Sequence, residues 1–502
     1  LVLLSLGVVL GAQEKIEKTS PSGPAFYVST TGDDSNSGTQ KAPWRTIQHA
    51  ANVAMPGSTV FVRGGIYRER VTINVSGTSA RGCVTFQSLP GETAVLDGES
   101  LSPPDGRSAM ITIQDKSYIK IRGFEIRNYR TSQRRCTPAG IFVQGSGSNI
   151  EILKNNVHHI EQNYSTKGAN GFGIAVYGTN AQTPITKLII DSNEVHHLKT
   201  GSSESLVVNG NVTDFRITHN IVHDNNNIGI DVIGHERTAP DPDVDRARDG
   251  VVSHNLVYSI TSRGNPSYGD EQNSDGIYVD GGTRTLIEQN VIHDVDFGIE
   301  LASEHKGHTT SYITARNNLI YFCHTAGISI GGYDAERGIT ERCIIVNNTL
   351  YKNDTSNGGA GEFQMQYYMA NNIFKNNILV AGPQGLLTVS KSGPMQESTP
   401  SVAMDYNLYF SPPGQEVSRW QFDNTLHTGF SNYRKATGND QHSRFADPLF
   451  MNPSAEDFHL QQQSPAINVG IPLEAAVMGF QDLDGVPRNK DGAPDIGCYE
   501  RP

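Results

Sequence analysis

Short runs in which apolar residues return at every second position, each introduced by Gly-Ile, recur along the middle of the chain. They are Gly140-Ile141-Phe142-Val143, Gly173-Ile174-Ala175-Val176, Gly229-Ile230-Asp231-Val232, Gly276-Ile277-Tyr278-Val279, Gly298-Ile299-Glu300-Leu301 and Gly327-Ile328-Ser329-Ile330. A period of two predicts half-buried strands. Between these runs a second phrase opens on Asn155, Asn193, Asn220, Asn255, Asn290, Asn318, Asn348, Asn377 and Asn407, at spacings of 27 to 38 residues. In most of them an apolar residue follows two places on and His or Tyr three places on, as in Asn220-Ile221-Val222-His223. Recurrence at this period marks a solenoid, a propeller or an array. Helical periodicity and the dense Leu pattern of leucine-rich repeats are both missing, and the spacing is less even than propeller blades require.

The pattern therefore predicts an all-β fold, a right-handed parallel β-helix (solenoid) whose coils stack about 4.8 Å apart. The Asn phrase becomes an internal ladder, each amide bonding the coils above and below. His158, His196, His223 and His293 share a repeat position with Tyr258, Tyr321 and Tyr351, which favours a stacked structural column over a string of metal ligands. The uneven excess over the shortest repeat reads as long loops on one face, where binding usually occurs. Ahead of the coils, residues 26–29, 59–63 and 71–74 read as strands, and 46–54 as a short amphipathic helix capping the open end of the first coil. A solenoid grows by adding coils, so one domain is expected over 26–500, with the cap and first coils at 26–75 and a closing segment at 440–500.

Residues 1–12 form an apolar run ending in small residues, which resembles the later part of a secretory signal, and 13–25 form a polar lead. That run is too short to span a bilayer and no other stretch reads as transmembrane, so an exported protein is expected. Five scattered cysteines make neither a disulfide framework nor a CxxC site, and Cys343 reads as an apolar core filler. A net charge of −12, from 52 acidic and 40 basic residues, disfavours nucleic acid and anionic membrane as partners.

Two segments resemble secreted right-handed β-helix proteins that act on polysaccharides, including family 9 pectate lyases and β-helical xylosidases. One is the opening from Phe26 through Trp44, Pro56-Gly57 and Gly64-Gly65 to Ile73. The other is the tail with Asp447-Pro448-Leu449-Phe450, Phe458-His459-Leu460, Ser464-Pro465-Ala466 and Asp495-Ile496-Gly497. The resemblance implies this fold and a polysaccharide or oligosaccharide substrate; a fold by itself hosts many activities.

Phase along the coils supplies a candidate site. Aligned on the Gly of Gly-Ile, positions one and three point inward, and positions two and four point out to solvent. The second position collects Ala175, Asp231, Tyr278, Glu300 and Ser329, and the fourth Tyr177, Ile233, Asp280, Ala302 and Gly331. Nearby loops add Asp275, Glu304, His305, Tyr333, Asp334 and Arg337, and the longest insertions, 235–248 and 261–274, fall beside them. Asp280 and Glu300 lie on adjacent coils, offset by two residues, which places their backbones roughly 8 Å apart. Glycosidases need a carboxyl pair, about 6.5–9.5 Å apart for inversion and about 5–5.5 Å for retention.

A glycoside hydrolase is therefore expected, with Glu300 as acid, Asp280 as base and Asp231 as the alternative base. Tyr278 and Tyr333 would face sugar rings, and His305 and Arg337 would bind hydroxyls. The hydrolase reading requires no cofactor. A calcium-dependent polysaccharide lyase is the second expectation, with Lys306 or Arg337 as base, although the coils carry neither a paired Asp-Asp nor a Lys in the outward columns. A non-catalytic carbohydrate-binding adhesin is the third. Ca2+ would find oxygen ligands in the loop bearing Asp241, Asp243 and Asp245, against which stand Pro242 and the missing Gly and terminal Glu of an EF-hand.

Overall fold

The computed structural model describes residues 23–390, 401–422, 424–488 and 492–501. The expected signal remnant at 1–12, and most of the polar lead, lie outside the described residues. Three long sheets of 16, 13 and 13 strands run side by side along one axis, and each coil contributes a strand to each. Pairing along the sheets is parallel and in register: Ile230, Ile277, Ile299 and Ile328 stack in one column, and Val232, Val279, Leu301 and Ile330 in the next. These are fully buried and belong to one continuous core from Val28 to Tyr433. This is the parallel β-helix that the repeats predict.

The Asn phrase builds the ladder. Nδ2 of each Asn from Asn155 to Asn377 donates to Oδ1 of the next Asn at 2.9–3.3 Å, and the same oxygen accepts the preceding Asn's backbone N–H. A buried amide bonded in this way leaves few polar groups unpaired. The residue before every ladder Asn is left-handed, with φ of 53–57° at Lys154, Ser192, His219, His254, Gln289, Asn317, Asn347, Asn376 and Tyr406. Such a backbone costs a side-chain-bearing residue roughly 1–2 kcal/mol, and the amide bonds of the following Asn offset it. The ladder ends in Asp440 and Ser443, which accept from Asn407 Nδ2 at 3.1 Å and from its backbone N–H at 2.8 Å.

Gly-Ile has an equally local cause. A Cβ on Gly276 would sit 2.7 Å from Ile292 Cγ2, and one on Gly298 2.4 Å from Ile320 Cγ2. Only glycine lets the chain turn this close to the core before Ile enters the strand. The His and Tyr rings also stack as expected, with centroids 4.7–5.2 Å apart from His158 through His196, His223, Tyr258 and His293 to Tyr321.

Ile47–Val53 is helical and buries Ile47, Ala50 and Ala51 against the first coils. At the far end the closing role expected of 440–500 falls mainly to an antiparallel hairpin, Arg419–Phe422 with Thr425–Thr428, and to the helix Phe430–Thr437. Trp420, Phe430 and Tyr433 fill that end of the core. Beyond Ser443 the chain runs back along the flank, where Phe450, Phe458, Leu460 and Ile496 cover Tyr321, Tyr351 and Ile378. Among the described residues no helix is long and apolar enough to cross a membrane, and Cys343 is a buried core residue.

Replacing Asn290 with Leu removes a rung: Nδ2 and the backbone N–H of Asn255 lose their acceptor, Asn290 Oδ1, and the carbonyl of Val252 loses its side-chain donor. We expect a loss of about 2–4 kcal/mol, read as a lower urea midpoint than for the exposed control Asn52→Leu.

Candidate functional site

The outward face of the sheet carrying the Gly-Ile strands forms the site floor. Asp231 pairs in register with Tyr278, and Tyr278 with Glu300, while Asp280 pairs with Ala302 on the coil that carries Glu300. The sequence phase was right about which side chains leave the coil interior. It was wrong about what they meet: Asp231, Asp275, Tyr278, Asp280 and Glu300 are all buried, Asp280 at 4% and Glu300 at 8% exposure. Loops at 234–247, 261–274, 303–308 and 331–338 rise around the face and cover it, which alternation along a strand cannot reveal. Tyr278 accordingly presents no open ring, whereas Tyr333 is 46% exposed with the Arg337 guanidinium 4.3 Å from its ring centroid.

The acids crowd one another. The carboxyls of Asp275 and Glu300 lie within reach of a shared proton. Glu300 Oε1 also takes Ser329 Oγ at 3.4 Å and Gln366 Nε2 at 3.3 Å, and Asp280 Oδ1 accepts the Glu304 backbone N–H at 2.7 Å. Burial, followed by Glu204, Asp280 and Asp275, holds the Asp231 carboxyl well above the usual range. Burial first, then Glu300, does the same to Asp275; for Asp280 it is burial and then Glu304. Burial pushes Glu300 up to about 7, with the Asp275 hydrogen bond opposing the shift. Desolvation and like charge both favour the protonated acid.

Glu204, Asn209 and Glu236 complete the cluster and escaped the sequence reading. Register places Glu204 where Asp275 stands two coils on, and Asn209 beside Ile233. Their coil carries Ser205-Leu206 in place of Gly-Ile, so an alignment on glycine passes over it. Glu236 lies in an insertion with no repeat phase. Its Oε2 accepts from Asn209 Nδ2 at 2.7 Å. Buried oxygens without a donor collect here: Glu204 Oε2, Asn209 Oδ1, Asp231 Oδ1 and Asp275 Oδ1. Native proteins seldom leave such atoms unpaired away from a functional site.

A cavity of about 750 Å³ opens beside the floor between the 235–245 and 304–308 segments, lined by His235, Glu236, Glu304, His305 and His308 among others. His235 stacks on His308 with centroids 4.1 Å apart. The loop of Asp241, Asp243 and Asp245, weighed above as a holder of Ca2+, has little to offer such an ion. Asp245 is buried and both its oxygens are taken by the N–H groups of Arg237 and Ala239, at 2.6 and 2.7 Å. Of the two bases expected for a lyase, Lys306 is exposed and paired with Glu336 at 2.8 Å, and Arg337 donates to the Glu304 carbonyl at 3.0 Å and lies beside Asp334.

Residues 26–192 match the family described as Pel9A-like, right handed beta helix region. Pectate lyase PEL9 of Emericella nidulans is 26% identical over 188 residues, which is 37% of this chain and 46% of that protein. The structure of XylC in complex with xylose is 13% identical, with a TM-score of 0.53, over 95% of this chain and 98% of that one, a likeness of fold. The uncharacterized protein YwoF of Bacillus subtilis (strain 168) is 40% identical over 445 residues, 89% of this chain and 92% of its own length. The chain thus belongs to the family of YwoF, one of right-handed parallel β-helix proteins.

Proposed function

We propose that this chain is an exported carbohydrate-active enzyme, a glycoside hydrolase that cleaves a polysaccharide or oligosaccharide in the acid-floored cleft. The observation that carries the reading is the buried carboxyl group of Glu300, raised to about 7 and hydrogen-bonded to Asp275, one coil from Asp280. A carboxyl that stays protonated near neutral pH can donate to a leaving glycosidic oxygen, while a second carboxylate activates water. Glu300 takes the first role and Asp280 the second, the Glu304 N–H favouring its ionised form against burial and the Glu304 charge, with Asp231 the alternative base. Asp275, Ser329 and Gln366 orient Glu300; the Glu304 backbone N–H orients Asp280. On the rim, His305, Tyr333, Asp334 and Arg337 would meet the sugar.

Elimination from a uronate is the second reading, supported by the likeness to pectate lyase PEL9. The engagement of Lys306 and Arg337 in other contacts weighs against it.

On a substrate found by screening neutral and uronate-containing glycans, Glu300→Gln and Asp280→Asn should each lower kcat about 10²–10⁴-fold. Products should carry new reducing ends without the ultraviolet absorbance of an unsaturated sugar. Full activity in both variants removes the pair, and absorbance at each cleavage makes the enzyme a lyase. With Glu300 as the acid, the rate should fall as pH rises through about 7.

The raised acids also make a stability prediction. Asp231 is held above its ordinary 3.8, so the stability associated with its protonated form is complete below that value and is lost as pH rises through the folded one. Asp231→Asn should therefore raise the thermal midpoint at neutral pH, by about 1–3 kcal/mol in stability, with the gain shrinking towards pH 4. Calorimetry across that range reads it, and a gain independent of pH contradicts the assignment.

A further inference from the structure

Beside the acid floor, Glu236, Asp280 and His305 bring one ligand atom each within 4.8 Å of one another. They come from three places in the chain: the end of the strand Asp275–Asp280, the insertion after Ile233, and the turn after Ala302. His305 Nε2 is buried and without a hydrogen-bond partner, so the imidazole that stands near the two carboxylates has a ring nitrogen left open. Both carboxylates are already oriented from behind, Glu236 by Asn209 Nδ2 at 2.7 Å and Asp280 by the Glu304 N–H at 2.7 Å. Ligands steered by a supporting shell of hydrogen bonds are characteristic of metal sites.

Asn209 is a second, independent sign. It is fully buried, is not an acid, and leaves Oδ1, on the other arm of the amide that holds Glu236, without a donor. His235, in the same cavity, has both ring nitrogens buried and unbonded. An ordinary hydrogen-bonded cluster would satisfy these atoms, and here they stay open beside Glu236.

We propose that Glu236, Asp280 and His305 bind one divalent transition-metal ion of the zinc type, with a remaining coordination position open to the cavity. An imidazole with two carboxylates suits such an ion better than Ca2+, which takes six to eight oxygen ligands. Three protein ligands and an open position describe zinc sites that hold water or a substrate oxygen. The inference shares Asp280 with the hydrolase reading but does not rest on it, because ion binding is measured without a sugar.

The test is titration of the full chain, stripped with EDTA, with ZnCl2, MnCl2 and CaCl2, followed by calorimetry and thermal midpoint, with bound metal counted by elemental analysis. One Zn2+ or Mn2+ per chain is expected, with a rise in midpoint that CaCl2 does not match. Glu236→Gln changes an exposed carboxyl and should fold; with His305→Ala it should weaken binding by at least about tenfold, and Asn209→Ala by about tenfold. Absence of binding overturns the proposal, as does binding that Glu236→Gln and His305→Ala leave unchanged, or a preference for Ca2+. Glu300→Gln should bind the ion as the parent chain does. Loss of hydrolysis in that variant and loss of metal in the other two are therefore separate failures.

Discussion

Bonding of one coil to the next at a fixed repeat is the constraint on which the rest of this protein depends. Each turn past a ladder Asn forces the preceding residue into a left-handed backbone, a conformation that Lys, His, Gln and Tyr side chains disfavour. The conformation persists because the Asn behind it satisfies two coils at once, through its amide and through the oxygen that accepts the neighbouring backbone N–H. Since the same bond recurs at each coil from Asn155 to Asn407, small local costs do not accumulate there into a shift of register. Columns of side chains therefore remain aligned over the whole length, and that alignment allows acids distant in sequence to share a surface.

Most of the fold was legible because its causes are local and repeated. The Asn phrase encodes a corner, the Gly of Gly-Ile encodes a close approach to Ile292 or Ile320, and the alternation after it encodes a face. The short cap helix was visible through its apolar spacing. The path of the tail was not, because Phe450, Phe458 and Ile496 pack against coils roughly a hundred residues earlier, and nothing in their own spacing says which flank they meet. Half the site was legible for the same reason as the fold: Asp231, Asp280 and Glu300 sit in repeat phase. Glu204 was hidden by a coil that substitutes Ser205-Leu206 for the usual phrase, and Glu236 by an insertion that has no phase at all.

Burial of the acid face is the consequence that periodicity could not supply. A residue pointing away from a coil meets water on a bare solenoid, but here four loops enclose the face, and the energetic reading of the same residues reverses. An exposed carboxylate is indifferent to its neighbours beyond a screening length. Enclosed ones lose their hydration first and feel one another's charge second, which raises the carboxyls of Glu204, Asp231, Asp275, Asp280 and Glu300 together. Folding such a cluster costs stability, which the continuous apolar core of the coils must offset.

The ladder and the acid cluster thus represent opposite solutions to burying polar groups. Along the ladder each buried amide has its partners, and the site could not be built that way, because a fully satisfied network has no valence left for a ligand. In the cleft Asn209 shows both states in one side chain: its Nδ2 is spent on Glu236 and its Oδ1 is left open. Half-satisfied groups persist in a folded protein only where the scaffold is stiff enough to hold them against collapse. A stack of coils locked at one corner of each turn meets that requirement, and the loops, free of the repeat, can vary in length and charge above it without disturbing the floor.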